Sequence, residues 1–116
     1  MVDIGLEDEL AQFTRSGKHH EHFKGFHYTE GIKYLADRLR CYWLVDLVGS
    51  YQSQLPNTPF QLWRLQAEWN QSAVLTMAED AEKPAILSHE IRYTDFRLRE
   101  FSFYCVDRVM MLKGEY

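Results

Sequence analysis

The chain has 116 residues, of which 46% are hydrophobic and 15% aromatic, and its net charge is −4. This length and apolar content predict one globular domain over residues 1–116 and exclude general disorder, while the acidic balance disfavours a broad phosphate-binding surface. No segment resembles a secretory signal or approaches the roughly 20 apolar residues of a membrane span, so we expect a cytoplasmic protein that does not engage a membrane.

The first part of the chain contains two helical patterns. Apolar residues at i, i+4 and i+7 from Leu6 predict a short helix over residues 3–13. Thr29 is a suitable N-cap for a second pattern, whose apolar stripe continues to Tyr51. Two alternatives stay open for this stripe: one long helix, or two helices broken near Arg40.

Between these helices, residues 17–27 read GKHHEHFKGFH and hold four of the five histidines. On a strand His20 and His22 would share a face, whereas on a helix His19 and His22 would. In either case Glu21, His27 or the distant His89 could complete a set of three zinc ligands. The stretch lacks an HExxH-type frame, so the metal signal is weak. We therefore expect imidazoles in half-buried aromatic positions and no cofactor. The alternative is a small metal-dependent hydrolase that uses His19, His20, His22 and His27.

The second half of the chain has the pattern of a β-meander. The sequence LPNTP at 55–59 ends the helical half, residues 1–54, because prolines cannot continue a helix. After it the apolar period changes to two, which predicts a β-meander half over residues 60–112 with strands at 60–69, 72–79, 85–91, 101–106 and 109–112. The fold is therefore predicted to be α+β, with N-terminal helices packed on one face of an antiparallel sheet of about five strands.

Two carboxylates and two thiols are candidate reactive groups. Asp46 lies in the apolar run YWLVDLV, and Asp95 lies among the arginines Arg92, Arg97 and Arg99. We expect an Asp46–Arg or an Asp95–Arg pair that fixes a helix against the sheet, rather than acid–base catalysis. Cys41 and Cys105 have apolar neighbours and are predicted to be buried, reduced thiols.

Short motifs along the chain resemble those of a known family. The stretch YTEGIKYLADRLRCYWLVDLVGSYQ (28–52), the later YTDF (93–96) and the final EY are similar to an uncharacterised group of small bacterial domains, frequent in cyanobacteria and on plasmids and phages. The resemblance extends from the Phe13-Thr14 pair to Glu115-Tyr116, supports the fold, and implies no activity. It aligns His22 with a family histidine and places His19 and His20 where relatives carry aromatic rings.

The abundance of aromatic residues favours a protein-binding function. Three Trp, seven Tyr and seven Phe exceed what so small a domain buries completely, and interfaces favour Trp, Tyr and Arg. We therefore predict a non-catalytic protein-binding or regulatory module, whose partner is another protein or a second copy of the chain. The candidate contact residues are His22, Tyr42, Trp63, Trp69, Glu79, Asp80 and Glu82.

The resemblance adds a narrower version of this prediction. A small acidic protein encoded by a mobile element would inhibit a host nucleic-acid-binding or defence factor by covering its basic groove. The acidic surface for this role would comprise Glu7, Asp8, Glu9, Glu79, Asp80 and Glu82.

A single-stranded nucleic-acid binder is the second alternative. Aromatic rings flanked by arginines can stack bases, and such residues cluster late in the chain: Arg92, Arg97, Arg99, Arg108, Tyr93, Phe96 and Phe101. The alternation of Phe101, Phe103 and Cys105 is instead typical of a core strand, and the acidic total opposes binding to phosphates. Nucleic acid is therefore not the expected partner.

Overall fold

The computed structural model describes residues 4–14, 17–96 and 98–116. Its helices are α1 (Ile4–Leu10), α2 (Glu30–Leu39) and α3 (Tyr42–Tyr51), with 3-10 turns at Gln52–Gln54 and Lys113–Glu115. Its strands are β1 (His19–Phe23), β2 (Phe26–Thr29), β3 (Phe60–Ala67), β4 (Ala73–Ala78), β5 (Leu87–Ile91), β6 (Glu100–Val106) and β7 (Val109–Leu112). None of the helices in these ranges is long and apolar enough to cross a membrane.

The described strands form one seven-stranded sheet in the order β1-β2-β7-β6-β3-β4-β5. All neighbours are antiparallel except β2 and β7, which are parallel. The α+β class is thus confirmed, but the predicted count of about five strands is too low. The prediction did not include β1 and β2. The sequence of β1 is HHEHF, which lacks the apolar alternation that indicates a strand.

The predicted helical stripe over 29–51 is two helices. Arg40 adopts the left-handed conformation with φ of 53°, and the N–H of Cys41 donates to the carbonyl of Ala36 at 3.0 Å. Such a left-handed residue ends a helix by turning the chain out of its axis. The first helix ends at Leu10 rather than at Phe13, and its predicted start at Asp3 lies outside the described residues.

One face of the sheet joins the apolar stripes of the helices in a continuous core. Trp63 on β3 lies at the centre, fully buried, with its ring stacked on Phe103 at a centroid distance of 6.4 Å. Its indole N–H donates to Gln61 Oε1 at 2.9 Å, and Gln61 exchanges two amide hydrogen bonds with Gln52. The prediction that Trp63 contacts a partner is therefore wrong, because no part of its side chain reaches the surface.

The opposite face of the sheet, called the second face below, also carries apolar side chains. Strand alternation places Leu62, Tyr104 and Met111 in one cross-strand row on this face. The ring of Tyr116 packs on Phe60 and on Tyr104 with centroid distances of 5.3 and 5.4 Å. The second face is thus partly covered by the last residue of the chain.

Candidate functional site

Strand alternation divides the histidines of residues 17–27 between two sides of the β1–β2 hairpin. His20 and His22 share a side, and each reaches a carboxylate on a different helix. The Nε2 atom of His20 lies 2.5 Å from Glu30 Oε1, and Nε2 of His22 lies 2.5 Å from Asp46 Oδ1. These two contacts, called the histidine clasps, fasten the hairpin to α2 and α3.

The other two histidines do not join this arrangement. His27 Nε2 lies 4.0 Å from Glu21 Oε2, and His19 is exposed. His89, the fifth histidine, lies on the far edge strand β5. Its Nδ1 forms a hydrogen bond of 2.6 Å with the hydroxyl of Tyr51 on α3. Within the described ranges, no group of three or more His, Cys, Asp or Glu side chains is placed to hold a metal ion. Of the residues of the metal-dependent alternative, His20 and His22 thus lie on one side of the hairpin and His19 and His27 on the other.

A tyrosine and two charged residues lie beside the histidine clasps. The hydroxyl of Tyr42 donates to Asp37 Oδ1 at 2.7 Å, and Lys33 Nζ donates to Asp37 Oδ2 at 2.8 Å. Burial, followed by the bond to Asp37, raises the pKa of Tyr42, whereas the bond from Lys33 lowers the pKa of Asp37. Tyr42 therefore acts as a fixed hydrogen-bond donor that joins α3 to α2.

In the described part of the chain, the neighbours of the His22–Asp46 pair are aromatic rings rather than a nucleophile. In a catalytic triad the histidine bonds the carboxylate through one nitrogen and a Ser or Cys nucleophile through the other. Among the described hydrogen bonds, none joins His22 to a Ser, Thr or Cys side chain, and Ser50 on α3 donates to the carbonyl of Leu47. Aromatic rings surround His22 instead, including Phe23 at 4.7 Å and Tyr28 at 5.8 Å. The pair has the environment of a structural contact.

The structure corrects the predicted partner of Asp46. Asp46 pairs with the imidazole of His22 rather than with an arginine. Asp95 is exposed, and its charge contributes, after burial, to raising the pKa of the Cys41 thiol. Of the arginines predicted around Asp95, Arg97 lies outside the described residues.

Glu115 is a buried carboxylate that sequence reasoning missed. It accepts hydrogen bonds from the Thr29 hydroxyl at 2.6 Å and from the N–H groups of Gly31 and Leu112, each at 3.0 Å. The side chain occupies the N-terminus of α2, where the helix dipole favours an anion. The YTEG motif contains Thr29 and Gly31, which donate to Glu115. No local sequence pattern connects that motif to Glu115.

Two aromatic side chains are strongly exposed at the end of the sheet where β3 turns into β4. Trp69 is 75% exposed and Tyr93 is 69% exposed. The guanidinium carbon of Arg99 lies 4.0 Å from the ring centre of Trp69, a cation–π contact. The N–H of Thr94, next to Tyr93, donates to the carbonyl of Gln71 at 2.7 Å, which holds the two aromatic segments together. We call Trp69, Tyr93 and Arg99 the aromatic end.

Among the described arginines of the nucleic-acid alternative, Arg92 and Arg99 lie at the aromatic end and Arg108 lies apart from them. Arg99 precedes β6 and Arg108 follows it, so these two residues lie at opposite ends of that strand. Phe101 is buried in the core and Phe96 packs against it at 5.9 Å. Only Tyr93, of the aromatic residues predicted to stack bases, is exposed among the described residues.

The predicted acidic surface of the second half is a turn between β4 and β5. Glu79 and Glu82 are exposed, whereas Asp80 is half-buried. The Asp80 carboxylate accepts from the N–H of Glu82 at 2.8 Å and lies 3.8 Å from Lys83 Nζ. Part of the negative charge of this turn is therefore balanced within the turn itself.

Comparison with known proteins identifies a family but does not indicate an activity. A family of unknown function, DUF6876, matches residues 4–116. No curated protein and no solved structure matches the chain.

Proposed function

The chain belongs to the DUF6876 family of unknown function, and from that premise we propose that it is a non-catalytic protein-binding module whose contact surface is the aromatic end. The observation that carries the proposal is the shared exposure of Trp69 and Tyr93. They are the two most exposed large hydrophobic side chains of the described residues. Trp, Tyr and Arg are the residue types that dominate the binding energy of protein interfaces.

The backbone around the aromatic end supports preorganised binding. The contact between Arg99 and Trp69 restricts both side chains before a partner arrives. The N–H of Ala67 also donates to the carbonyl of Arg99 at 2.7 Å, which ties the Arg99 segment to β3. Less conformational entropy is lost on association when the contact groups are already fixed.

The charges near the aromatic end favour a protein over a nucleic acid. Arg92 and Arg99 are exposed there, but so are the carboxylates of Glu68 and Asp95. A nucleic-acid surface requires an excess of cations that follows the phosphate backbone. Mixed charge around exposed aromatic rings is instead usual at the rim of a protein interface.

The narrower hypothesis of a mobile-element inhibitor would place the contact on Glu7, Asp8 and Glu9 and on the acidic turn of Glu79, Asp80 and Glu82. That hypothesis rests on an origin on plasmids or phages and on a basic partner. Lys83 lies within the same turn and reduces its net negative charge. We therefore assign the main contact to the aromatic end and leave the acidic turn as a secondary surface for a basic partner.

Affinity capture with two matched variants tests the proposal. The native chain, Trp69→Ala/Tyr93→Ala and Ile86→Ser would each be immobilised and exposed to extract from cells of the source organism. Ile86 is an exposed apolar residue that directly precedes β5 and lies beside the other end of β4, where its N–H donates to the carbonyl of Met77. We expect one protein to bind the native chain and the Ile86 variant, with affinity for the double variant reduced about tenfold or more.

The second step of the test uses the purified partner. Titration calorimetry should reproduce the difference between the variants, and sedimentation of the chain alone shows whether the partner is a second copy. Equal affinity of all three chains for the partner would falsify the assignment to the aromatic end. Binding of single-stranded DNA that disappears with the double variant would replace the protein partner by a nucleic acid.

A further inference from the structure

The two edges of the sheet differ in how well they are protected from pairing with a further strand. Every edge strand presents unpaired backbone N–H and C=O groups, and proteins block such edges with β-bulges, Lys or Pro. The edge strand β1 has a break in register between Glu21 and Phe23 and is flanked by Lys18 and Lys24. The register break and the two lysines make β1 a poor template for another strand.

The described β5 edge has none of these features. This strand lies at the opposite end of the sheet and pairs only with β4 among the described strands. Its sequence is LSHEI, without Lys or Pro, and its five pairs with β4 are in unbroken register. Leu87 and Ile91 are half-buried against the core, whereas Ser88 and Glu90 are exposed. The strand thus offers a regular and accessible backbone edge with apolar side chains beside it.

The sequence of β5 is complementary to a second copy of itself in one antiparallel register. This register has a two-fold axis at His89, and directly opposite side chains in it share a face of the sheet. On the side of the helices, Leu87 of one copy lies opposite Ile91 of the other, so apolar groups meet. On the second face, Ser88 lies opposite Glu90, and a hydroxyl is a suitable donor to a carboxylate.

The neighbouring registers are less favourable. An axis at Glu90 places the two Glu90 carboxylates opposite each other, which is destabilising. An axis at Ser88 places Ile86 opposite Glu90, an apolar side chain against a carboxylate. Pairing of β5 with β1 of the next copy would generate an open filament, and the register break in β1 opposes it. The side-chain pattern therefore selects a closed dimer with its axis at His89.

We propose that the chain forms a two-fold dimer in which the β5 strands of two copies pair antiparallel about His89 and join the two sheets. The pairing supplies hydrogen-bond partners for the outward backbone groups of β5 and covers the exposed parts of Leu87 and Ile91. An interface of one strand pair is small, so the dimer is in equilibrium with the monomer. Tyr93 lies beyond the end of the paired strand, so the dimer does not depend on the function proposed for the aromatic end.

Sedimentation equilibrium of the full chain over a wide range of concentrations tests the dimer. At about pH 8 imidazoles carry little charge, which removes repulsion across the axis. We expect the native chain to be a dimer at high concentration and to dissociate on dilution. Ser88→Glu places like charges opposite each other at two symmetric positions, so it should weaken the dimer about fivefold. Ser88→Glu/Glu90→Lys restores opposite charges and should return the dissociation constant to within about twofold of the native value.

Three further variants locate the interface and its register. Ser88→Lys should dimerise at least as tightly as the native chain, because its ammonium group faces Glu90, whereas an axis at Ser88 would place two lysines opposite each other. Thr76→Glu, on β4 and on the same face, should leave the dissociation constant unchanged. Trp69→Ala/Tyr93→Ala should also leave it unchanged, since the aromatic end lies outside the contact. Circular dichroism confirms that each variant is folded.

An isotope-filtered NOE experiment on a mixture of labelled and unlabelled chains shows the register directly. Leu87 and Ile91 are about 13 Å apart along one strand, so an NOE between their methyl groups arises only across the dimer. We expect this NOE in the native chain.

Four results would overturn the proposal. They are a monomer at every concentration, an unchanged dissociation constant in Ser88→Glu, a weaker dimer in Ser88→Lys, and loss of the dimer in Trp69→Ala/Tyr93→Ala. The last result would make the aromatic end the contact between copies. Conversely, a dimer that persists in a chain whose aromatic end binds no partner would contradict only the function proposed above.

Discussion

At the residue scale, one carboxylate, that of Glu115, connects the last residues of the chain to the start of α2. Glu115 lies 86 residues after Thr29, yet it accepts the Thr29 hydroxyl and the Gly31 N–H at the start of α2. The approach is so close that a Cβ atom on Gly31 would lie 2.6 Å from Leu112 Cδ1 and closer still to Glu115 Oε1. The absence of a side chain at position 31 is therefore required by packing and not by backbone dihedral angles.

Gly31→Ala is the matching test of this contact. The added methyl group must displace the Glu115 carboxylate, so we expect the free energy of unfolding to fall by about 1–3 kcal/mol. Urea denaturation followed by circular dichroism measures the change. Lys33→Ala on the exposed side of the same helix serves as control and should change the free energy of unfolding much less, because solvent screens the pair of Lys33 with Asp37. A loss for Gly31→Ala no greater than that of the control would contradict the packing role.

The β1–β2 hairpin is the element whose position depends most on individual side chains. Its outer strand β1 is the edge of the sheet, and the histidine clasps attach it to Glu30 and Asp46. The Asp46 side chain is 60% exposed, so solvent screens its contact with His22. The clasp contributes to the docking of the hairpin far more than to the stability of the whole fold.

Hydrogen exchange of Asp46→Ala tests this local role. Loss of the clasp should speed exchange of the β1 and β2 amides about twofold to fivefold, while the amides of β3, β4 and β6 keep their protection. Ser50→Ala, one turn further along α3, is the matched control and should leave both sets unchanged. Uniform acceleration across all strands would mean that the clasp stabilises the whole molecule instead.

At the scale of the whole molecule, the core encloses both thiols. Cys41 and Cys105 are free and buried, as the sequence predicted, and burial raises the pKa of each from 9.0 to about 12. In the unfolded chain the thiols ionise near pH 9, whereas in the folded chain they stay protonated. The stabilisation from these groups is therefore complete below about pH 9 and is lost as the pH rises toward 12.

Urea unfolding between pH 8 and pH 10 measures this linkage. The free energy of unfolding should decrease with pH above about 9, and the slope should be smaller in Cys41→Ala/Cys105→Ala. The native thiols should also react with a disulfide reagent only as fast as the protein unfolds. Identical slopes in the two chains, or rapid thiol labelling in the absence of urea, would show that the thiols are accessible in the folded state.

The sequence predicted the elements well where the apolar period was clear. All five strands expected over 60–112 are present, and β7 has the predicted bounds of 109–112. Prediction failed where polar residues form a strand, as in HHEHF of β1, because an edge strand buries little surface and need not alternate apolar and polar residues. It failed also for Trp63, since aromatic content alone does not say which rings are buried.

The sequence by itself determined the α+β class, the start of the second helix at Thr29, the β-meander and the burial of the two cysteines. These features follow from local period, capping residues and apolar neighbours, which act over a few positions of the chain. Only the tertiary structure decided that Asp46 meets His22, that Glu115 occupies the start of α2, and that Trp69 and Tyr93 share one end of the sheet. Those contacts join residues that are far apart in sequence, so they depend on the path of the whole chain and leave no local pattern.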